Sequence, residues 1–208
     1  MKADSQESKQ RILDAALDVF FEVGFEGARV SDIAKRAQVN QALIYYYFKS
    51  KEELLTALIN IHIDEMVLLK SQLMKNKSIL NKKDVNEVAD EMMDFLKDKK
   101  KIFSILFGEM IKNSGSEKIN KAFEFFSPIM EDSRQRLNVL EIDPEGIDRG
   151  IIAGFFFGMM PLTTYIMVGE KWADYCGFDK KLVKETFDEF LYDFYIESIT
   201  NYLKRWQK

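Results

Sequence analysis

Three consecutive tyrosines, Tyr45, Tyr46 and Tyr47, lie in a nearly acid-free stretch from Val39 to Lys51 and are followed by Phe48, Lys49, Ser50 and Lys51. A core buries aromatic residues at helical spacing rather than side by side, so this run implies a surface that presents rings and hydroxyls. Between Ser31 and Lys51, four basic residues (Lys35, Arg36, Lys49, Lys51) face the single acid Asp32, although the whole chain has a formal net charge of -4. Binding depends on where charge lies rather than on its sum. Hydroxyls, a glutamine amide and cations gathered in one short segment can address base edges and phosphates of duplex DNA.

Positioning these groups requires short helices. Ile12, Leu13, Ala16, Leu17, Phe20 and Val23 repeat at i, i+3, i+4, i+7 and predict an amphipathic helix over Lys9 to Val23, with Gly24 as its stop. Ser31 and Asp32 suit the start of a second helix, which buries Ile33, Ala34 and Ala37. Asn40 is an N-cap for a third helix running to about Lys49, and Ser50-Lys51-Glu52-Glu53 is a capping box opening a fourth. At about 100° per residue, Ile44 and Phe48 share the buried side of the third helix. Ala42 and Tyr46 point the opposite way with Lys49 beside them, Leu43 and Tyr45 sit on the margins, and Gln41 and Tyr47 lie nearer the buried side. That arrangement is a helix-turn-helix with a reading face.

The segments Ile33-Ala34-Lys35-Arg36-Ala37-Gln38-Val39-Asn40 and Ile44-Tyr45-Tyr46-Tyr47-Phe48-Lys49-Ser50-Lys51-Glu52-Glu53-Leu54-Leu55 resemble the DNA-binding domain of tetracycline-repressor-type (TetR family) regulators, with Ile12 to Ala16, Phe20, Gly24 and Phe25 extending the likeness. The resemblance covers about a quarter of the chain. It implies base contacts from Gln41, Ala42, Leu43, Tyr45 and Tyr46, phosphate contacts from Tyr47 and Lys51, and support from the start of helix two near Ser31. Lys35 and Lys49 add positive charge to the same surface. The turn position that is usually glycine in the family is Gln38 here, and a non-glycine held left-handed costs about 1 to 2 kcal/mol.

The remainder predicts helices over Asp84 to about Lys97, Lys101 to Lys112, Glu117 to about Leu140, Glu145 to Val168 and Lys181 to Trp206, with kinks or breaks at Pro128 and Pro161. The expected architecture is all-α: a helix-turn-helix domain over residues 1–50 and a larger helical ligand-binding and dimerisation domain over 51–208. From Gly150 to Gly169 no residue is charged, a length that suffices to cross a membrane. Pro161, Thr163, Thr164 and Tyr165 argue instead for a buried helix of a soluble protein. Gly150, Gly154 and Gly158 line one face for close helix approach, and Phe187, Phe190, Leu191, Phe194 and Tyr202 on the last helix offer the partner side of a four-helix homodimer interface. The same glycines could serve packing within one chain. Met92, Phe103, Phe107, Glu109, Met110, Phe126, Met130, Phe155 and Met159 form an aromatic and methionine-rich set able to line an apolar ligand pocket, with Glu109 its polar member.

One histidine, one cysteine, no glycine-rich phosphate loop and no metal-ligand spacing leave catalysis, a cofactor or a metal without support. The lone Cys176 and a polar N-terminus without an apolar stretch suggest a reducing, cytoplasmic setting. The expected function is that of a homodimeric repressor that reads a palindromic operator and releases it when a small, largely apolar or aromatic effector binds. The alternative is a DNA-binding regulator or architectural protein without a small-molecule ligand.

Overall fold

A computed structural model of the chain describes residues 2–115 and 119–208. Among them there is no strand, only an isolated antiparallel bridge between Ile142 and Gln207. The chain divides into two compact units, residues 1–64 with 101–126 and residues 65–100 with 127–208. The helices Lys101–Lys112 and beyond, expected in a C-terminal domain, thus cluster with the N-terminal helices up to Phe126.

The first unit opens with α1 (Lys2–Gly27), α2 (Val30–Ala37) and α3 (Gln41–Tyr47). Gly24 interrupts α1 with φ +73° and ψ 165°, a conformation that only a residue without Cβ adopts without strain, so the regular helix ends where the sequence placed its stop. Ile12, Ala16, Phe20, Ile33, Ala34, Ala37, Ile44 and Phe48 are buried. Helix α2 begins one residue before Ser31, with Arg29 as an N-cap whose side chain makes no capping bond. Ser31 is therefore exposed inside the first turn rather than at the cap.

Asn40 caps α3 as its sequence predicts, its carboxamide oxygen accepting from the Leu43 amide at 2.7 Å. Gln38 takes the left-handed conformation (φ 55°, ψ 45°) and its amide closes the end of α2 on the carbonyl of Lys35 at 3.3 Å. The helix stops at Tyr47, two residues short of expectation, because Phe48 turns extended to bury its ring. Helix α4 (Lys51–Leu73) follows at once. Ser50 Oγ accepts from the Glu53 amide at 3.1 Å, while the Glu53 carboxylate reaches back past Ser50 to the Lys49 amide at 2.9 Å. The same unit holds α6 (Lys100–Lys112) and α7 (Ile119–Glu124), and Lys101 meets Asp18 of α1 at 2.6 Å. Glu117, the expected start of one helix, lies outside the described residues.

In the second unit are α5 (Lys82–Asp98), α8 (Ser127–Val139), α9 (Pro144–Ala153), α10 (Met160–Cys176), α11 (Lys180–Glu189) and α12 (Glu197–Lys204). Pro128 sits in the first turn of α8, where its missing N–H costs nothing, so the anticipated break falls before it. Asp143 caps α9 by accepting from the Glu145 amide at 3.0 Å, with Pro144 at the first helical position. Two π-helical segments, Gly154–Met159 and Phe190–Ile196, join α9 to α10 and α11 to α12. The first absorbs Pro161 without a break: widening the helix just ahead of it relieves the proline ring against the preceding turn. One core cluster gathers Leu137, Ile142, Ile147 and Leu203, and another Met93, Leu191 and Ile196.

Candidate nucleic-acid interface and apolar face

The recognition helix divides as its periodicity requires. Ile44 and Phe48 are 2% and 3% exposed and anchor α3, whereas Tyr46 is 79% and Tyr45 50% exposed. Gln41, Ala42 and Lys49 are exposed beside them, and Leu43 is half-buried. Lys35 is exposed on α2. The outward surface of α2 and α3 therefore joins a glutamine amide, a methyl group, two tyrosines and two lysines, the donors, acceptor and apolar contacts that base edges and phosphates require.

Three groups near this surface are engaged within the unit. Arg36 forms a two-pronged pair with Glu22 of α1 at 2.7 and 2.8 Å. The hydrogen bond to Arg36 holds the Glu22 carboxyl below its usual range and raises the guanidinium in turn, although both are open to solvent. The Tyr47 hydroxyl, half-buried and edge-on to Tyr46, donates to the Ser5 carbonyl at 2.8 Å and lies 2.7 Å from Ser5 Oγ. Lys51, at the start of α4, reaches the end of α1 and donates to the carbonyls of Phe25 at 2.6 Å and Ala28 at 3.0 Å. Sequence periodicity contains no signal for these links, because each spans more than one helix.

The residues expected to line a pocket fall in both units. Phe103, Phe107, Met110 and Phe126 are buried in the first, Phe107 and Phe126 with ring centroids 5.7 Å apart. Glu109 is half-buried there, and the Asn113 side chain of its own helix donates to its backbone carbonyl at 2.8 Å. Met92, Met130, Phe155 and Met159 are half-buried in the second unit.

The expected dimer face needs revision. A Cβ on Gly150 would stand 2.8 Å from Leu203 Cδ2, and one on Gly158 2.5 Å from the Tyr195 hydroxyl, so both glycines admit side chains of their own chain. Gly154 alone of the three has open space above it. Leu191 is buried in the second core cluster, and Phe187 stacks on Tyr165 with centroids 4.0 Å apart. Phe190 and Phe194 do remain outside, 57% and 58% exposed and stacked at 4.8 Å, and Tyr202 is half-buried beside them. The surface missed by sequence reading is on the opposing helix: Ile152, Phe156 and Phe157 are 57%, 60% and 65% exposed. An open groove of about 900 Å³ runs between these helices, lined by Ile152, Phe157, Phe190, Phe194 and Tyr195, with Arg149 and Arg205 among its polar members. The helix Pro144–Cys176 contains an 18-residue window of mean hydropathy 1.8, long and apolar enough to cross a membrane, yet only 11% of that window is buried. The expectation of a buried helix thus fails within one chain: the helix packs against its neighbours at Gly146, Gly150 and Gly158 and leaves Phe156 and Phe157 outside.

Helix-turn-helix geometry with a tyrosine-rich reading face defines a DNA-binding protein. Residues 12–58 match the family model described as bacterial regulatory proteins, tetR family. The chain is 29% identical over 178 residues (82% of this chain, 87% of the relative) to YdgC of Bacillus subtilis (strain 168), described as an uncharacterized HTH-type transcriptional regulator. Among solved structures it is similar to a transcriptional regulator of the TerR/AcrR family from Aquifex aeolicus VF5, with 26% identity, a TM-score of 0.63 and coverage of 88% of this chain and 97% of that one. It is also similar to the transcriptional regulator FadR from Bacillus subtilis in complex with stearoyl-CoA, with 25% identity, a TM-score of 0.63 and the same coverage, 88% and 97%. Residues 12–58 therefore carry a TetR-type DNA-binding domain, and over most of its length the chain is similar to DNA-binding transcriptional regulators.

Proposed function

We propose that the protein is a cytoplasmic, homodimeric repressor that binds a palindromic operator and leaves it when an apolar, acyl-type effector binds. The observation that carries the dimer is the uncovered phenyl face of the second unit. Stacked Phe190 and Phe194, facing Ile152 and Phe157 across an open groove, form a patch that a monomer would hold in water. A second copy related by a two-fold axis would cover it with the same face, completing a four-helix interface. Burial in a bilayer is the competing fate of so apolar a helix. Asp148 and Arg149 on its exposed side, the latter lining the groove itself, favour a protein partner with a polar rim.

Two recognition helices about one DNA turn apart, ~34 Å, would read the two halves of a palindrome. Gln41, Ala42, Leu43, Tyr45 and Tyr46 are assigned to bases, and Ser31, Lys35 and Lys49 to the backbone. The effector class rests on the stearoyl-CoA held by the FadR relative and on the half-buried methionines and phenylalanine of the second unit, Met92, Met130, Phe155 and Met159. Met side chains adapt their shape to a flexible chain. Coupling runs along α4, which is continuous from the capping box at Ser50 to Leu73, and typically supplies about 1 to 3 kcal/mol between sites.

Selection of bound duplexes from random DNA, repeated with stearoyl-CoA and with free CoA, tests this reading. A palindromic consensus lost with stearoyl-CoA but kept with CoA is the expected result. A consensus insensitive to stearoyl-CoA would remove the acyl effector and leave a DNA-binding regulator of another input.

A further inference from the structure

We infer that Lys51 is a positioning residue for operator recognition, acting through the α1–α2 connection, rather than a phosphate contact. An ammonium group has three N–H donors and no acceptor. Around Lys51 Nζ stand the carbonyls of Phe25 at 2.6 Å, Ala28 at 3.0 Å and Glu26 at 3.5 Å, and the Phe25 ring centroid lies 4.4 Å away. Those carbonyls belong to the end of α1 and the two-residue link beyond it. They follow the break at Gly24, beyond the last regular turn, where carbonyls lack intrahelical donors and a cation can take the place of those donors. The cation is thus enclosed by oxygens and a ring face on the inner side of the motif, with its donors already directed at them.

The location of this cage gives it consequence. Ala28 directly precedes Arg29, the N-cap of α2, whose side chain makes no capping bond. The Arg29 carbonyl receives the amides of Asp32 and Ile33 at 3.0 and 3.2 Å and so opens α2. Lys51 stands at the first position of α4, inside the capping box that follows α3. One side chain therefore joins the segment leaving α3 to the segment entering α2. It closes the helix-turn-helix on itself and sets where Ser31, Lys35 and the reading face stand.

The test uses the full chain, wild type against Lys51→Met and Lys51→Arg. The DNA probes are the duplex selected by the wild type and a scrambled duplex of the same length. A lysine that neutralises one phosphate contributes about 0.9 to the slope of log affinity against log salt. The expected result for Lys51→Met is an unchanged salt slope, a roughly tenfold loss of affinity for the selected duplex and little loss for the scrambled one. Discrimination should return in part with Lys51→Arg, which keeps N–H donors but in a planar fork poorly matched to three converging carbonyls. Amide exchange at Asp32 and Ile33 should quicken in Lys51→Met. A slope shallower by about 0.9 with equal weakening on both duplexes would overturn the inference. So would a Lys51→Met protein that melts earlier but, once folded, discriminates as the wild type does.

Discussion

Two exposed aromatic surfaces, one on each unit, are made of different rings. On α3 the outward rings are tyrosines, Tyr45 and Tyr46, flanked by exposed Gln41 and Lys49. On the two π-helical segments of the second unit they are phenylalanines, Phe156, Phe157, Phe190 and Phe194, with Ile152 in the same groove as Phe157, Phe190 and Phe194. A phenol can donate to a base edge or a phosphate while its ring packs on a methyl group, whereas a phenyl ring gains only by leaving water. Exposure alone therefore does not name a partner; the hydroxyl and the neighbouring charge do. The second unit inverts ordinary packing in another way, placing charge inside: Lys70 lies 3.1 Å from Asp132 and donates to Ser133 Oγ at 2.9 Å, with Arg136 also on Asp132 at 3.0 Å.

The largest effect should come from charging the phenyl face. Phe190→Glu with Phe194→Glu removes two rings from the centre of the proposed interface and adds repulsion across the two-fold axis. Buried aromatic anchors contribute about 2 to 4 kcal/mol each when truncated, so dimer dissociation should strengthen by roughly a thousandfold, about 4 kcal/mol. Sedimentation velocity would show monomers at micromolar concentration with unchanged helical content. If the variant still sediments as the wild type does, the phenyl face is not the dimer surface and the contrast between the two aromatic surfaces collapses.

Next in size is the internal charge. Asp132 is 13% and Lys70 22% exposed. Burial lowers the Lys70 pKa against the pull of Asp132. For Asp132, burial acts upward, but Arg136 and Lys70 outweigh it and hold the carboxyl below its ordinary value. Asp132→Asn leaves the ammonium facing a neutral amide and should cost about 2 to 3 kcal/mol in urea unfolding, less than the loss of a fully buried pair. The pH dependence has a definite sign. A carboxyl depressed in the folded state contributes stability above its unfolded value near pH 4, lost as pH falls through the folded value. Wild type should therefore lose more stability than Asp132→Asn in that acid window. Lys70 binds its proton less tightly when folded, so its linkage makes stability rise with pH from the lowered value up to the ordinary lysine value.

The reading face gives a smaller, more selective effect. Tyr46→Ala should weaken binding to the selected duplex about tenfold, near 1.4 kcal/mol, and shift urea stability by no more than about 0.5 kcal/mol, as expected for an exposed residue. Tyr46→Phe separates the hydroxyl from the ring: loss equal to that of alanine assigns the contact to the hydroxyl. An exposed phenyl that binds DNA as well as the tyrosine would erase the distinction between the two surfaces.

What was legible in the sequence follows the range over which each rule acts. The helix boundaries around Asn40 and Ser50 were legible because a cap is a bond between residues three or four apart. The sides of α3 were legible because one period fixes them. The partition of Gly150, Gly154 and Gly158 was not, since a four-residue repeat says that three glycines share a face but not whether Leu203, Tyr195 or another chain fills the space. The positions of Lys51 over Phe25 and of Tyr47 against Ser5 were equally hidden, separated by 26 and 42 residues. The first π-helical turn has Gly154 at its start and Pro161 just beyond it, and the second, Phe190–Ile196, has neither residue type.

Gln38 supplies the smallest and sharpest test of the first unit. It holds φ 55° and ψ 45° at the end of α2, and the next amide, Val39, completes the closure on the Ala34 carbonyl at 3.0 Å. The left-handed conformation costs a Cβ-bearing residue about 1 to 2 kcal/mol. Gln38→Gly removes that strain but gives the unfolded chain more freedom, an opposing term of about 0.5 to 1 kcal/mol. The net expectation is a gain of about 0.5 kcal/mol, read as a higher urea midpoint at unchanged slope. Discrimination between selected and scrambled duplexes should stay the same, because both residues can hold the same turn and α3 keeps its angle. A gain in stability with a loss of discrimination would mean that the Gln38 side chain itself helps to set the recognition helix, and that the first unit stores strain for reading DNA rather than merely tolerating it.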